Sequence, residues 1–283
     1  MSAPVAAPVA TTGALSIRGA GKIYNPGAAA VVALEDCSAE IGAGEFVAIV
    51  GPSGCGKSTL LNAIAGFDRL TGGYILLDGV PLAGPAMQPR PGPDRVVVFQ
   101  NGALFPWMTV LENVIYGPTR QRLLGPDAAR AKALDMLRRC GGLDAAADRH
   151  PGQLSSGMQR RVEIVRALMN EPRVLLLDEP FRAMDTVSKA AMHRRLLEIH
   201  ALYPKTVLFI THDLEEAIFL ADTVYVMTTR PGRMKSVLRV DLPRPRSLAM
   251  MASHEYLELK RQAAEGVHEE AKKAFERGER ELA

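Results

Sequence analysis

The chain has 283 residues, 47% hydrophobic and 23% charged, an ordinary globular composition with room for one large domain or two small ones. Its net charge of +3 is too small to argue for nucleic acid as a partner, and no apolar run approaches the roughly 18 residues needed to cross a bilayer. Three scattered cysteines, Cys37, Cys55 and Cys140, have neither metal-site spacing nor an even count, so reduced thiols in a cytosolic setting are expected.

The stretch from Met1 to Gly13 is rich in Ala, Pro and Val and has no Lys or Arg. It lacks the basic start of a signal peptide, Pro4 and Pro8 interrupt it, and residues 1–13 are expected to be a disordered tail. Ser16–Tyr24, Val32–Ile41 and Tyr74–Leu77 alternate apolar and polar residues between turn signals and suit an antiparallel layer at the front of the domain. Phe46–Val50, Val96–Phe99, Val174–Leu177 and Val207–Ile210 are continuously apolar, as in strands of a parallel sheet covered on both faces. They end at Gly51, Gln100, Asp178 and Thr211, and the carboxyl ends of such strands are expected to converge on a ligand. Pro81–Asp94 and Pro243–Arg246 read as loops.

Between the strands ending at Gln100 and beginning at Val174, residues 101–170 read as a helical insertion. Pro126–Arg139 has helical spacing, with Ala131, Leu134 and Leu137 on one face. Ser155 is the expected cap of a helix carrying Val162, Ile164, Val165 and Leu168. The last stretch, 247–283, is charged and helical in propensity, with Tyr256, Leu257, Ala263, Ala264, Val267 and Ala271 as its apolar positions.

Gly51-Pro52-Ser53-Gly54-Cys55-Gly56-Lys57-Ser58-Thr59 follows the first apolar strand and precedes a helical stretch, Leu60–Gly66. It fits G-x-x-x-x-G-K-[ST] at every defined position. Gly51, Gly54 and Gly56 let backbone N–H groups face a phosphate, and the helix adds its positive end. Lys57 is placed to contact the β- and γ-phosphates of a nucleoside triphosphate, and the Ser58 hydroxyl to bind Mg²⁺. The same helix end is expected to lower the pKa of Cys55 and make it reactive. Asp178 and Glu179 close an apolar strand with two carboxylates, one suited to Mg²⁺ and the other to activating water.

These motifs, in this order, resemble the ATP-binding subunit of ABC transporters, over about Ser16 to Arg246. Gly51–Thr59 looks like Walker A, Gln100 like the Q-loop glutamine and Leu154–Arg161 like the signature motif. Leu175–Glu179 looks like Walker B with the catalytic glutamate, Phe181–Asp185 like the D-loop and His212 like the switch histidine. Tyr24 stands where the family places an aromatic that stacks on adenine. Ser156 and Met158 depart from the usual Leu-Ser-Gly-Gly-Gln, and Arg182 and Met184 bring bulk to a D-loop that is usually small.

The resemblance implies an α/β fold: a P-loop NTPase core with a mostly parallel sheet, an antiparallel β layer at the front and a helical subdomain over about 101–170. The ATP-binding domain would then span 14–246. It implies ATP and Mg²⁺ as cofactors, with Ser58, Gln100 and Asp178 as metal ligands. It implies Glu179 as general base, His212 on the γ-phosphate, and an ATP-dependent homodimer in which Ser155 and Gly157 of one copy face the other's nucleotide. The apolar surface from Asn101 to Met108, with Phe105 and Trp107, would take a helix of a membrane permease at the cytoplasmic face of the cell membrane. Val98–Asn101, Leu104–Trp107, Asn113-Val114, Arg230–Arg233 and Asp241–Arg246 resemble importers of nitrate, sulfonates and taurine, which use a periplasmic or lipid-anchored solute-binding protein. An exporter of lipids or lipoproteins, or a soluble ABC ATPase, would share the main motifs.

Overall fold

The computed structural model describes residues 12–27, 29–182 and 184–276. The expected tail over 1–13 therefore falls, for residues 1–11, outside the described residues. In chain order the strands are β1 (Leu15–Tyr24), β2 (Val31–Ile41), β3 (Phe46–Val50), β4 (Gly72–Leu77), β5 (Val80–Ala83), β6 (Arg95–Val98), β7 (Val174–Asp178), β8 (Thr206–Ile210), β9 (Thr223–Met227) and β10 (Met234–Arg239). The helices are α1 (Lys57–Ala65), α2 (Val110–Arg120), α3 (Pro126–Arg139), α4 (Ser156–Leu168), α5 (Thr186–Leu202), α6 (Leu214–Leu220) and α7 (His254–Glu276). The chain divides into two compact units, one holding 93–204 and the other 12–92 with 205–276.

In the second of these units, β1 lies between β2 and β4, with β5 at the edge, all antiparallel. Leu15, Ile17 and Ala20 of β1 point inward while Arg18 stays exposed, the alternation expected of a sheet with one wet face. The other strands run in the order β10, β9, β3, β8, with β3 parallel to both neighbours and β10 antiparallel at the edge. Every residue of β3, β8 and β9 is buried, which accounts for the continuous apolar runs Phe46–Val50 and Val207–Ile210. Burial of Phe46, Val47, Ile49 and Val50 stabilises by about 1.5–3 kcal/mol each, against ~0–1 for a surface ion pair. Burial of the strands, rather than the ion pairs that line α7, therefore holds the sheet. Helix α7 packs on α6, β9 and β10 through Tyr256, Ala263 and Glu270, spaced seven residues apart on one stripe.

One expected loop is corrected here. Pro81 lies inside β5, paired with Leu76, although Pro81–Asp94 read as a loop. An edge strand tolerates a residue without an N–H because one side of its ladder has no partner strand.

In the unit 93–204, β6 and β7 run parallel, from Arg95 opposite Val174 to Val98 opposite Leu177. Helices α2, α3 and α4 pack on one another, and α4 packs on β6. The buried stripe of α3 is Ala129, Ala133, Met136 and Leu137. Ala131 is exposed and Leu134 only half-buried, so the expected face was rotated. The stripe that packs follows i, i+4, i+7, i+8, whereas 131, 134 and 137 are three apart and share only Leu137 with it. Thr109 and Glu112 form a reciprocal capping box at the start of α2. Buried Asn113 accepts from Phe105 N at 2.8 Å and donates to the carbonyls of Phe105, Met108 and Thr109 at 3.0–3.1 Å.

Because the Asn113 side chain holds Phe105 N and Met108 O, Asn113→Ala should destabilise the chain by about 2 kcal/mol, read from urea unfolding. A change within a few tenths of a kcal/mol would mean that the 105–109 turn does not depend on it.

Candidate functional site

The residues singled out in the sequence fall into two sets, one in each unit. In the unit containing β3, the chain leaves that strand at Gly51 and enters α1 at Lys57. Gly56 caps α1 at φ +101°, and a Cβ there would meet Leu34 Cδ2 at 2.7 Å and Ala33 O at 2.8 Å. Only glycine fits that turn. No side chain caps α1, and its first turn carries no acid, so the positive helix end faces the loop. Lys57 is buried, and its ammonium donates to Gly51 O at 2.7 Å and Pro52 O at 2.9 Å. Ser53, Gly54 and Ser58 lie on the open side of the loop, exposed, with Pro52 and Thr59 half-buried.

Cys55 departs from expectation. Its side chain is fully buried, and burial pushes the thiol pKa up even though Lys57 Nζ lies 3.6 Å away and acts in the opposite direction. A helix end alone suggested a depressed pKa, but desolvation of a fully buried thiolate outweighs it. Cys37 and Cys140 are buried too, with pKa values pushed up to about 12 and about 11.

Tyr24 stands beside the same loop. Its hydroxyl donates to Asp68 Oδ2 at 2.7 Å and also bonds the Thr59 side chain. The Lys22 ammonium sits 4.6 Å from its ring centroid and pairs with Asp68. Burial opposes ionisation of Asp68, but the hydrogen bonds from Lys22 and Tyr24 outweigh it and hold its pKa below the usual range. His212 follows β8 on the neighbouring strand, where Thr211 N donates to Ile49 O at 3.2 Å. Thr211 is buried, donates to Glu216 Oε2 at 2.6 Å and accepts from Asp213 N at 3.0 Å. Asp213 caps α6 by accepting from Glu215 N and Glu216 N. That frame fixes His212, which is itself exposed.

In the other unit, Gln100 follows β6, and Glu179 follows β7 two residues beyond the rung that joins Val98 and Leu177. Glu179 has φ +41°, a strained conformation for a non-glycine residue and common at functional sites. Its carboxylate lies 3.4 Å from Arg182 Nη1. Phe181 is fully buried and Asp185 caps α5, so the D-loop is anchored at both ends; Ala183 between them lies outside the described residues. Ser155 caps α4 by accepting from Met158 N at 3.3 Å, and Gly157 is half-buried in the first turn.

Two residues of α4, Arg160 within the signature stretch and Glu163 beyond it, make contacts that the sequence reading did not foresee. Arg160 donates to Phe99 O at 2.6 Å and to Gln100 O at 2.7 Å, and pairs with Glu163 at 2.6 Å. Glu163 in turn accepts from Ala103 N at 2.6 Å. Both are buried and mutually neutralising, so the signature helix grips the backbone on either side of Gln100. The one available signal was a pair of opposite charges three apart among the apolar positions of α4. Next to this clamp is a cavity of about 220 Å³ lined by Val97, Phe99, Phe105, Tyr116 and Arg166. Trp107 stacks beside Phe105 with ring centroids 5.6 Å apart and is 70% exposed.

A glycine-turned loop between a buried parallel strand and a helix N-terminus, with a lysine at its mouth, defines a P-loop nucleotide-binding protein. The family model described as ABC transporter matches residues 34–182. The nitrate import ATP-binding protein NrtD of Synechococcus elongatus is 40% identical over 262 residues, covering 92% of this chain and 93% of its own length. The bicarbonate transport ATP-binding protein CmpD of Synechocystis is 42% identical over 238 residues, 83% of this chain and 82% of its own. A solved dimeric ATP-binding cassette, in a post-hydrolysis state bound to ADP and Pi, superposes with a TM-score of 0.66 at 28% identity, covering 81% of this chain and all of that one. The chain belongs to the ABC transporter ATP-binding family; it binds ATP and hydrolyses it.

Proposed function

We propose that the chain is the motor subunit of an ABC importer for a small solute of the nitrate, sulfonate or taurine kind. The observation that carries this reading is near full-length similarity to a nitrate import ATP-binding protein. Among the described residues no helix is long and apolar enough to cross a membrane, so the path for solute belongs to separate permease subunits. A peripheral position at the cytoplasmic face follows from that partnership. The exposed Trp107 beside the Phe105 cavity is where a permease helix docks. A periplasmic or lipid-anchored protein delivers the solute.

Each site residue takes the role that its chemistry suits. The backbone of Gly51 to Thr59 cradles the phosphates, and Lys57 adds a point charge. Tyr24 offers the adenine the ring face that Lys22 does not cover. Ser58, Gln100 and Asp178 are hard oxygen donors, fit for Mg²⁺, which takes few protein ligands and keeps several waters. When bound, the ion neutralises phosphate charge.

Glu179, aimed by its strained backbone, takes the proton of the attacking water, and His212 contacts the γ-phosphate. Ser155 and Gly157 open the positive end of α4, which faces the γ-phosphate of the nucleotide held by a second copy. ATP thereby joins two copies, and its hydrolysis parts them.

Glu179→Gln should cut turnover by about 10²–10⁴-fold while the dissociation constant for ATP stays near the wild-type value. Turnover near that of the wild type would remove Glu179 as the base. The importer assignment is tested by pull-down of the tagged chain from gently solubilised native membranes. A multispanning permease together with a solute-binding protein is the expected recovery. A permease with no binding protein would point to export, and recovery from the soluble fraction alone would contradict transport.

A further inference from the structure

The segment after β9, Thr228-Thr229-Arg230-Pro231-Gly232-Arg233, lies against the outer side of the phosphate loop. Arg230 Nε donates to Gly54 O at 3.2 Å. A Cβ on Gly232 would come within 2.1 Å of Cys55 O, and one on Gly51 within 3.0 Å of Met227 O, so backbone meets backbone at both places. The segment is closed on itself by Thr228, whose Oγ1 donates to Pro231 O at 2.8 Å and accepts from Arg233 N at 2.9 Å. It is also tied to β2: Gly232 N donates to Ala33 O and Glu35 N to Gly232 O, each at 3.0 Å. The Ala33 carbonyl is the same atom that crowds Gly56.

A further anchor is Glu270 of α7. This carboxylate is 3% exposed, accepts from Thr229 N at 3.1 Å, and takes the ammonium groups of Lys235 and Lys273 at 2.9 Å each. A buried carboxylate is costly unless every oxygen is satisfied, so this one favours a single placement of Thr229. An unbroken run of bonds thus leads from α7 through Glu270, Thr229 and Arg230 to the Gly54 carbonyl.

We propose that Glu270 is a positioning residue for nucleotide binding: through Thr229 and Arg230 it braces the phosphate loop, so that the C-terminal helix α7 sets the affinity for ATP. This rests on the reading that Gly51–Thr59 holds the phosphates. Cradling a phosphate requires several N–H groups to hold one geometry, and a loop that can relax outward binds more weakly. Residues that act this way, without touching the ligand, change affinity by about 2- to 30-fold.

The test is a set of full-length variants titrated with a fluorescent ATP analogue in the presence of Mg²⁺. Glu270→Ala and Arg230→Ala should each weaken binding by about five- to tenfold. The double variant should be no weaker than the more affected single variant, because both cut one linkage. In steady-state assays the KM for ATP rises by the same factor and kcat does not change. Tyr256→Phe, which removes the bond to Glu215 O elsewhere on α7, should bind like the wild type. Wild-type affinity in both single variants, or losses that multiply in the double, would overturn the proposal. If Glu270→Ala does not fold, exposed Arg230 decides alone, and wild-type affinity in Arg230→Ala refutes the brace. Lys57→Ala separates the two readings: undiminished binding there would mean that the loop does not hold the phosphates, whatever the other variants do.

Discussion

The structure depends on one backbone turn, where buried β3 ends and α1 begins. At Gly56 the chain passes so close to Ala33 O and Leu34 that no side chain fits, and α1 starts there without a capping side chain. The uncapped N–H groups carry partial positive charge that an anion can satisfy. Much of the surrounding unit holds this turn in place. Five buried residues of β3 fix its entry, and β2 and the segment after β9 press on it from outside. Lys57, bonded to the carbonyls of Gly51 and Pro52, keeps its charge at the mouth rather than in bulk water.

The unit 93–204 works by a different device. Its candidate groups sit at the ends of two short strands, and Gln100 lies where regular structure stops. Backbone carbonyls there need partners, and the buried Arg160–Glu163 pair of α4 supplies them. A movement of α4 would therefore carry the chain around Gln100 with it. Phe105 and the cavity beside it belong to the same unit, so a partner bound there would bear on the same helix and strand. The Arg182–Glu179 pair adds a local restraint on the proposed base, at a D-loop position where the family usually has a small residue.

Much of this was legible in the sequence because its physical cause is local. Continuous apolar runs gave β3, β6, β7 and β8 nearly to the residue, and the phosphate loop carries its own geometry in its glycines. Strand β9, Thr223–Met227, was missed because its burial comes from neighbours rather than from an apolar run, and β10 because an edge strand mixes polar and apolar residues. Helix α5 buries only Met192, Leu196 and Ile199, which leaves a faint stripe. The face of α3 and the state of Cys55 failed for a related reason. Spacing tells that a face exists, and a helix end tells that a field exists. Neither tells which way a side chain points once the tertiary structure has formed. The contacts of the Arg160–Glu163 clamp and of the Glu270 anchor join segments far apart in the chain, and the charge spacing in α4 was the one trace of the clamp in the sequence.

The proposed cycle turns on ATP itself joining two copies of this chain. Sedimentation velocity of the Glu179→Gln variant, which should retain ATP unhydrolysed, tests it directly. A dimer with ATP and Mg²⁺ and a monomer with ADP are expected. A monomer under both conditions, or a dimer whatever the nucleotide, would contradict it.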